Sequence, residues 1–380
     1  MRFNTRLLHD AQPPDPLTGA VNAPIYLSST FRQSAPNRHL GYVYGRTGNP
    51  TRAVLEAALA KLEGGSTGLA FSSGLGALTT LLESVPSGRR IVSVDDVYGG
   101  TWRLFEHHRR QFGLRVDYVD MTDLGKLRAA LSEPADLVYL ETPTNPLLKL
   151  VDIPEAIRLA RKVKAFVAVD NTFATPALQR PIEMGADLVL HSTTKYLGGH
   201  SDVIGGALVL SDRKDGERFA WLQNAVGAVP SPFDCFLTLR GIHTLGVRMR
   251  AHGEGARAVA EELAGSRKVR RVLYPGLRSH PQYALARRQM SGFGGMVSVE
   301  VEGGRRGALR FLKGLRVFTL AESLGGVESL VDHPASMTHA SVPRREREAH
   351  GVTDGLLRLS CGIEDPADLA EDVRHGLKEV

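Results

Sequence analysis

The sequence has few cysteines, no long apolar run and no common nucleotide-binding motif, and each absence excludes a class of protein. Only two of the 380 residues are cysteine, and neither lies in the C-x-x-C spacing of metal or redox sites. No apolar run approaches the ~20 residues that span a bilayer, and the first eight residues lack the apolar segment of a secretory signal. We therefore expect a cytoplasmic protein that makes no membrane contact and whose cysteines are structural thiols.

Charge and composition exclude two further classes. Lys and Arg number 47 against 41 Asp and Glu, so the formal net charge is +6, and the two signs are interspersed. This balance predicts no nucleic-acid partner. With 42% hydrophobic and 23% charged residues and no obvious repeat, the composition is that of a globular protein, and the length allows two domains.

The start of the chain shows no sustained periodicity. Residues 8–49 are polar and rich in proline, and long segments of this kind are uncommon unless they have a function. We therefore expect residues 1–49 to form an extended arm that lies across a neighbouring subunit. The following "NPTRAVLEAALAKLEGG" predicts a helix that Asn49 caps, with Pro50 in its first turn and Gly64 at its end.

After this helix, short apolar runs alternate with amphipathic segments. This alternation is typical of a mostly parallel sheet covered by helices on both faces. We predict an α/β fold with a mostly parallel seven-stranded sheet in a large domain, residues 50–240, and a smaller α+β domain at 241–380. The seven predicted strands lie in "GLAFSS", "RIVSVDD", "RVDYVD", "DLVYLET", "AFVAVDN", "DLVLHS" and "GGALVLS".

Polar residues follow several of these strands, where ligands bind in open α/β sheets. In "FSSGLGALTTLL", Ser73, Gly74 and Leu75 begin a helix, whose N-terminal N–H groups favour an anion. The stretch matches neither G-x-x-x-x-G-K-[ST] nor G-x-G-x-x-G, so it does not indicate a nucleotide. In "DDVYGGTWRLF", Tyr98 follows the next strand, and a tyrosine that merely lines a cleft is an equally good interpretation.

Three further strand ends add an amide, an acid and a lysine. "ETPTNPLLK" places Asn145 there, although the segment alone reads as a proline-rich turn. Asp170 in "AVDNTFATP" either caps a turn or is a buried charge with a cationic partner. "HSTTKYLGGHSD" adds Ser192, Thr194 and Lys195.

One cofactor uses all of these groups. Pyridoxal phosphate (PLP) needs a lysine amine for its aldehyde, an acid that keeps its ring nitrogen protonated, and donors for its phosphate. Lys195 and Asp170 meet the first two needs. Ser192, Thr194 and the helix that starts at Gly74 meet the third, and Tyr98 is placed to stack on the ring.

The sequence also resembles a known family, the PLP-dependent enzymes of Cys/Met metabolism, over essentially its whole length. The motifs that carry the resemblance occur in the family's order: "YGRTGNPT", "SSGLGA", "DDVYGGT", "ETPTNP", "VDNTFATP", "HSTTKYLGGHSD", "AESLGGVESL" and "LRLSCGIED". The resemblance implies PLP-dependent transferase fold type I and a homotetramer of two tight dimers, with each active site built from two subunits and small amino acids as substrates.

The resemblance also implies roles for individual residues. Tyr44 and Arg46 would reach the phosphate of the adjacent subunit's cofactor, and Arg358 would hold the substrate's α-carboxylate. Lys195 would transfer protons at the substrate, helped by Tyr98. The implied cofactor-binding residues are Tyr44, Arg46, Ser73, Gly74, Leu75, Tyr98, Asn145, Asp170, Thr172, Ser192, Thr194 and Lys195. The implied substrate-binding residues are Tyr44, Asn145, Glu322, Ser323 and Arg358.

Two positions bear on the branch of the family. Gly100 stands where methionine γ-lyases carry a cysteine, and Glu322 stands where one group of cystathionine β-lyases carries a tyrosine. Gly100 therefore disfavours a methionine γ-lyase, and Glu322 is typical of the branch that contains cystathionine γ-synthase and cystathionine γ-lyase. Within this branch both activities remain open, and we expect cystathionine γ-lyase, which converts cystathionine to cysteine, 2-oxobutanoate and ammonia. Cystathionine γ-synthase, which joins an O-acylhomoserine to cysteine, is the alternative. A β-lyase, a methionine γ-lyase and a non-catalytic phosphate-binding relative are less favoured, and Glu322 could instead cap a turn.

Overall fold

A computed structural model describes residues 1–9, 12 and 14–380. Asp10, Ala11 and Pro13 of the predicted arm lie outside the described residues. The chain divides into two compact units, which we call the first unit (residues 1–86 and 180–246) and the second unit (residues 87–179 and 247–380). The boundaries predicted at residues 49 and 240 stay a prediction.

Twelve strands are described. Strands β1–β7 belong to a seven-stranded sheet and β8–β12 to a five-stranded sheet. Their bounds are β1 Thr67–Phe71, β2 Arg90–Val94, β3 Arg115–Val119, β4 Leu137–Glu141, β5 Phe166–Asp170, β6 Leu188–His191, β7 Gly206–Leu210, β8 Val269–Leu273, β9 Met296–Val301, β10 Thr319–Leu320, β11 Leu330–Asp332 and β12 Leu356–Ser360. The first seven coincide with the seven apolar runs, so those predicted strands are confirmed.

Fourteen α-helices are described, together with one short 3₁₀ turn. Their bounds are α1 Phe3–His9, α2 Pro50–Glu63, α3 Gly74–Glu83, α4 Gly99–Phe112, α5 Leu124–Ala130, α6 Ile153–Lys162, α7 Thr175–Leu178, α8 Arg213–Val226, α9 Pro232–His243, α10 Leu245–Ala264, α11 Tyr283–Gln289, α12 Gly304–Gly314, α13 Arg344–Ala349 and α14 Pro366–Glu379; the 3₁₀ turn is Pro334–Ser336. None of these described helices is both long and apolar enough to cross a membrane. The cytoplasmic location stays a prediction.

Helix α2 of the first unit forms as its sequence indicates. The Asn49 side chain accepts hydrogen bonds from the N–H groups of Thr51 and Arg52, and the helix stops at Gly64, whose φ is 79°. Both ends were therefore predicted correctly. Among the described residues from 14 to 49, only isolated bridges occur, but the arm's first residues form α1, which was not predicted.

Strand directions differ between the two units. In the first unit, β7 pairs antiparallel with both β1 and β6. In the second unit, β2 lies between β3 and β4, β5 pairs with β4, and all these pairs are parallel. The five-stranded sheet has the order β10-β11-β12-β9-β8 and is antiparallel except at β10–β11. The predicted α/β fold, with a mostly parallel large sheet and a smaller C-terminal sheet, is confirmed.

One core of the second unit lies between the five-stranded sheet and its helices. Alternating residues of β9 and β12 are fully buried against α10, α12 and α14, as expected for a sheet that packs on helices. Cys361 belongs to this core, and Cys235 is buried in the first unit; both are free thiols, as predicted. This packing fixes β11 and β12, which carry residues of the candidate site.

Candidate active site

In the first unit, small residues lie close together at the start of α3. The Ser73 hydroxyl caps this helix by accepting from the Gly76 N–H at 3.0 Å. A Cβ built on Gly74 would lie 3.0 Å from the Ser192 Cβ and 3.2 Å from its Oγ, closer than most real contacts. Glycine at 74 therefore lets the helix N-terminus touch the Ser192 loop. The N–H groups of Gly74 and Leu75 belong to the first turn, which has no acceptors within the helix.

Lys195 lies in a tight turn of the same loop. Its N–H donates to the Ser192 carbonyl at 3.2 Å, its own carbonyl accepts from Gly199 at 2.8 Å, and its side chain is half-buried. The Thr194 hydroxyl accepts from the Gly205 N–H at 3.0 Å and lies 3.2 Å from the Gly205 carbonyl. The turn thus brings Ser192, Thr194 and Lys195 together, with the Thr194 hydroxyl directed at Gly205.

Tyr44 and Arg46 lie on an exposed loop of the first unit. The Arg46 guanidinium stacks on the Tyr44 ring, 5.5 Å from its centroid, and both side chains are exposed. The loop is held by Arg52, which is 2% exposed and donates to the carbonyls of Gly45 and Arg46 at 2.8 and 2.9 Å. Sequence analysis did not identify Arg52 as the residue that anchors this loop. Its position in the first turn of the helix capped by Asn49, close in sequence to the loop, could have indicated that role.

In the second unit, Asp170 ends β5 and is held by two donors. Its Oδ1 accepts from the Thr172 N–H at 2.9 Å, and its Oδ2 accepts from the Tyr139 hydroxyl at 3.3 Å. Hydrogen bonds of this kind favour the charged carboxylate. The strand register places Glu141 beside Asp170, and burial followed by the Asp170 charge raises the Glu141 pKa well above its usual range. Of the two acids, Glu141 is therefore the one whose protonated form is favoured.

Tyr98 begins α4 in the second unit, and its N–H donates to Glu141 Oε2 at 3.0 Å. Its side chain is 38% exposed, so one part of the ring is open to solvent. A Cβ on Gly100 would lie 2.3 Å from Tyr98 Cε1. Any side chain at position 100, including the cysteine of methionine γ-lyases, would therefore force the ring to move. Gly100 is part of what places Tyr98.

Arg358 lies on β12, buried in the second unit and surrounded by acceptors. Its Nη1 donates to Asn145 Oδ1 at 2.9 Å, and its Nη2 donates to the Ser323 carbonyl at 3.0 Å. It also forms an ion pair with Asp332. Ser323 has a φ of 86°, a conformation that costs energy for a residue with a side chain. The predicted residues Asn145, Ser323 and Arg358 are thus brought together, and the neighbouring Glu322 is exposed.

Two residues of this cluster were missed by sequence analysis. Asp332 is the buried counter-ion of Arg358. His339 lies within 3.3 Å of the Val97 carbonyl and 3.2 Å of the Asn145 carbonyl through Nε2. Burial, with help from the Arg358 charge, lowers its pKa to about 4, so the ring is neutral and Nε2–H donates. Neither role could be read from the sequence, because the partners are distant along the chain.

These groups fit PLP. Gly74 leaves the start of α3 open beside Ser192, which suits a phosphate, and Lys195 follows in the same turn. The Asp170 carboxyl group, held by two donors, suits a protonated ring nitrogen. In the second unit, Arg358 provides a planar cation for a carboxylate.

Comparison with known proteins also indicates a PLP-dependent enzyme. Residues 4–378 match the family described as Cys/Met metabolism PLP-dependent enzyme. A cystathionine gamma-synthase of Mycobacterium bovis is 53% identical over 98% of this chain and 96% of its own length. A cystathionine beta-lyase of Coxiella burnetii is 50% identical over 99% of this chain and 97% of its own.

Solved structures agree. The crystal structure of a cystathionine gamma-lyase from Lactobacillus plantarum complexed with L-serine has a TM-score of 0.97 and 43% identity, covering 100% of this chain and 99% of that one. The three relatives carry three different activity names, so similarity supports the shared chemistry and leaves the individual reaction open. The predicted cofactor and enzyme class are confirmed: the chain is a PLP-dependent trans-sulfuration enzyme and belongs to the Cys/Met metabolism family.

Proposed function

We propose that this enzyme acts at the γ-carbon of its substrate, as a cystathionine γ-lyase. The observation that carries the proposal is the position of Glu322. Its charge contributes to raising the pKa of Asp332, which pairs directly with Arg358. Glu322 is therefore a second, exposed carboxylate near the cation assigned to the substrate's α-carboxylate. A long zwitterionic substrate such as cystathionine has a distal ammonium group that can pair with it.

The cofactor has a residue for each of its parts under this proposal. Lys195 would bond to its aldehyde, Asp170 would face its ring nitrogen, and Tyr98 would lie against its ring. Its phosphate would be surrounded by Ser192, the hydroxyls of Ser73 and Thr194, and the backbone N–H groups of Gly74 and Leu75. When bound, PLP stores the electron pair left at the substrate's Cα.

The chain's own side chains then move protons. Arg358 holds the α-carboxylate, with Asn145 and Ser323 keeping the guanidinium in place. The amine of Lys195, once released, would take the proton from Cα. After giving up that proton it would again be a neutral amine, able to take the Cβ proton that γ-chemistry requires. Tyr98 is the group assigned to give a proton to the leaving thiolate.

Cystathionine γ-synthase is the second candidate. One observation favours it: the γ-synthase of Mycobacterium bovis is 53% identical to this chain over nearly its full length. The reaction would use the same residues: the acyl group of the O-acylhomoserine would leave Cγ as a carboxylate, and the cysteine sulfur would bond to Cγ as its thiol loses a proton. The roles of Lys195, Asp170 and Arg358 are unchanged.

We further propose a homotetramer of two tight dimers in which Tyr44 and Arg46 reach the cofactor of the adjacent subunit. Their exposure and the rigid anchoring of their loop by Arg52 support this. Arg46→Ala mixed with Lys195→Ala should regain activity, because one of the two shared sites then has both residues intact. Failure of the mixture to exceed either variant would mean that each site lies within one chain.

The first experiment tests the cofactor. Borohydride reduction of the purified enzyme followed by peptide mapping should place the pyridoxyl group on Lys195. Lys149, which is paired with Asp95 at 3.0 Å, serves as an internal control and should stay unlabelled. A label on another lysine, or no label, would overturn the assignment.

The second experiment tests the reaction. The purified enzyme is given one substrate in each assay, and the products are identified. The substrates are cystathionine, O-succinylhomoserine with cysteine, O-acetylhomoserine with cysteine, homocysteine, and methionine. Release of cysteine and 2-oxobutanoate from cystathionine indicates the γ-lyase, and formation of cystathionine indicates the γ-synthase. Homocysteine and pyruvate as the main products from cystathionine would contradict both.

The third experiment tests Glu322. Glu322→Val should lower kcat/KM for γ-cleavage of cystathionine relative to β-elimination from a smaller amino acid, which has no distal ammonium group to pair. An ion pair in a partly exposed cleft is worth up to about 1 kcal/mol, so the ratio should shift several-fold. Glu328→Val, at the other end of the same segment, is the matched control. An unchanged ratio would favour a turn-capping role for Glu322.

A further inference from the structure

Arg358 is not an unpaired cation awaiting a substrate: it already has a carboxylate beside it. Asp332 on β11 is the register partner of Arg358 on antiparallel β12, so the two residues face each other across the strand pair. The ion pair between them is almost completely buried, with side chains 2% and 0% exposed. A pair placed by strand register in a packed sheet is a fixed part of the molecule.

Arg358 is held in place by groups other than Asp332 as well. Neutral acceptors hold both terminal nitrogens: Asn145 Oδ1 at 2.9 Å from Nη1 and the Ser323 carbonyl at 3.0 Å from Nη2. The strand pairing of β12 with β9 fixes the backbone as well. What Asp332 adds to this arrangement is therefore its charge. One donor, Nε, is buried and has no acceptor among the described residues, so the guanidinium keeps capacity for another partner.

The other ionisable groups near the ion pair do not neutralise the negative charge of Asp332. Glu322 adds a second carboxylate, and burial and Glu322 raise the pKa of Asp332 while Arg358 opposes them. His333 is engaged by Ser336 Oγ and the Asp354 carbonyl. His339 is neutral near pH 7, because its pKa is lowered to about 4. The cluster thus holds one cation and two acids before any substrate carboxylate is added.

We propose that Asp332 competes with the substrate's α-carboxylate for Arg358, weakens amino-acid binding, and takes up a proton from solvent when the substrate binds. The inference rests on the proposed role of Arg358. Its physical reason is that two carboxylates cannot both stay charged beside one buried cation without repulsion. Protonation of Asp332 removes that repulsion, so binding is tighter at lower pH. Asp332 is on this view a specificity-determining residue that keeps affinity low and release fast.

The test uses the PLP-loaded enzyme and L-2-aminobutyrate, which has no leaving group at its γ-carbon. Binding is measured by calorimetry in two buffers of different ionisation enthalpy, which reports the protons taken up. Asp332→Asn keeps the size and an acceptor oxygen but removes the charge. We expect the variant to bind the probe several-fold more tightly, because the repulsion between two carboxylates is removed, and to take up about one proton fewer than the wild type.

Asp117→Asn is the matched control, because it breaks another Asp–Arg pair, with Arg90, away from β11 and β12. It should change neither affinity nor proton uptake. Weaker binding by Asp332→Asn would mean that Asp332 orients Arg358, and unchanged binding would mean that it does not act on the site; either result overturns the proposal. Should Asp332→Asn not fold, absence of proton uptake by the wild type overturns it equally.

A separate variant distinguishes this failure from failure of the proposed function. Arg358→Ala should lose binding of the probe whatever Asp332 does, because a charge-assisted hydrogen bond to the carboxylate is lost. If Arg358→Ala binds the probe as the wild type does, the role proposed for Arg358 is wrong. The proposed competition of Asp332 with the substrate is then wrong as well. If Arg358→Ala loses binding and Asp332→Asn does not gain it, only the inference about Asp332 fails.

Discussion

The two units hold their candidate site residues in place by different means. In the first unit, small residues and backbone groups lie close together: Gly74 against Ser192, and Thr194 against Gly205. In the second unit, ionisable side chains lie beside one another: Asp170 beside Glu141, and Arg358 in an ion pair with Asp332. The first unit depends on close approach, and the second on electrostatics.

This difference predicts opposite sensitivities. A change of volume at constant charge should damage the first unit most, because a tight backbone contact cannot absorb even a methyl group. A change of charge at constant volume should damage the second unit most, because a buried charge depends on its partners. The following substitutions test this contrast, from the largest expected effect to the smallest.

Asp170→Asn should cause the largest loss. The amide keeps the size of the side chain but cannot hold a protonated ring nitrogen by charge, so we expect kcat to fall on the order of 10²- to 10⁴-fold while the fold is kept. Tyr139→Phe, which removes only one donor to Asp170, is the graded control and should cost less than tenfold. Near-normal turnover of Asp170→Asn in a steady-state assay would contradict both the assigned role and the contrast.

Gly74→Ala should weaken cofactor binding more than the addition of a methyl group at any other position in the first unit. The added Cβ would lie 3.0 Å from the Ser192 Cβ, so the start of α3 and the Ser192 loop must separate. We expect the cofactor's dissociation constant to rise roughly tenfold, about 1.4 kcal/mol, measured by titrating the apoenzyme with PLP. Gly253→Ala in the second unit, where the new Cβ meets nothing closer than 4.0 Å, should leave it unchanged. Equal effects of the two would argue against close approach at Gly74.

His280 should make the second unit sensitive to acid. It is 4% exposed, its Nδ1 accepts from the Gln282 N–H at 3.2 Å, and burial lowers its pKa to about 4. Between pH 6.5 and about 4 the unfolded chain is protonated at this residue and the folded chain is not. Stability is therefore fully present above pH 6.5 and falls on acidification, by about 1.4 kcal/mol per pH unit at most.

The measurement is the free energy of unfolding in urea across this pH range. His280→Gln can keep an acceptor and a donor but cannot be protonated, so the dependence on pH should become shallower by up to one proton. His107→Gln, at an exposed position, is the control and should leave the slope nearly as it is. A slope that does not change in His280→Gln would show that this residue carries no acid sensitivity.

Ser323→Gly should give the smallest effect and one of opposite sign. Ser323 has a φ of 86°, which glycine adopts without strain, so the free energy of unfolding should rise by about 1 kcal/mol. KM should rise at the same time if the hydroxyl helps to place the carboxylate. Ser279→Gly, at an exposed position without positive φ, should lower stability slightly. Loss of stability in both variants would mean that Ser323 is not strained.

Much of the first unit's contribution could be predicted because its signals are local. The cap at Asn49, the stop at Gly64 and the strand before Ser192 depend on neighbours within a few residues. Lys195 and Ser192 lie in one continuous motif, so the sequence displays them together. The helix α1 was missed because seven residues without an apolar stripe give too weak a pattern.

The second unit's contribution was less predictable. Asp170, Asn145 and Arg358 were selected from motifs, but the environment that sets their chemistry comes from distant residues. Glu141 reaches Asp170 through the pairing of β4 with β5, and Asp332 reaches Arg358 through the pairing of β11 with β12. His339 contacts Asn145 across 194 positions of sequence. The sequence around an acidic residue does not indicate whether its carboxylate is buried or which residue it pairs with.

The sequence by itself therefore determined the strands, the helix ends and the identity of the chemical groups, because periodicity, caps and motifs are properties of adjacent residues. Only the tertiary structure decided which acid has a raised pKa, which histidine is neutral and which cation is already paired. Those properties depend on desolvation and on distances of a few ångströms between groups far apart along the chain, and folding alone creates them.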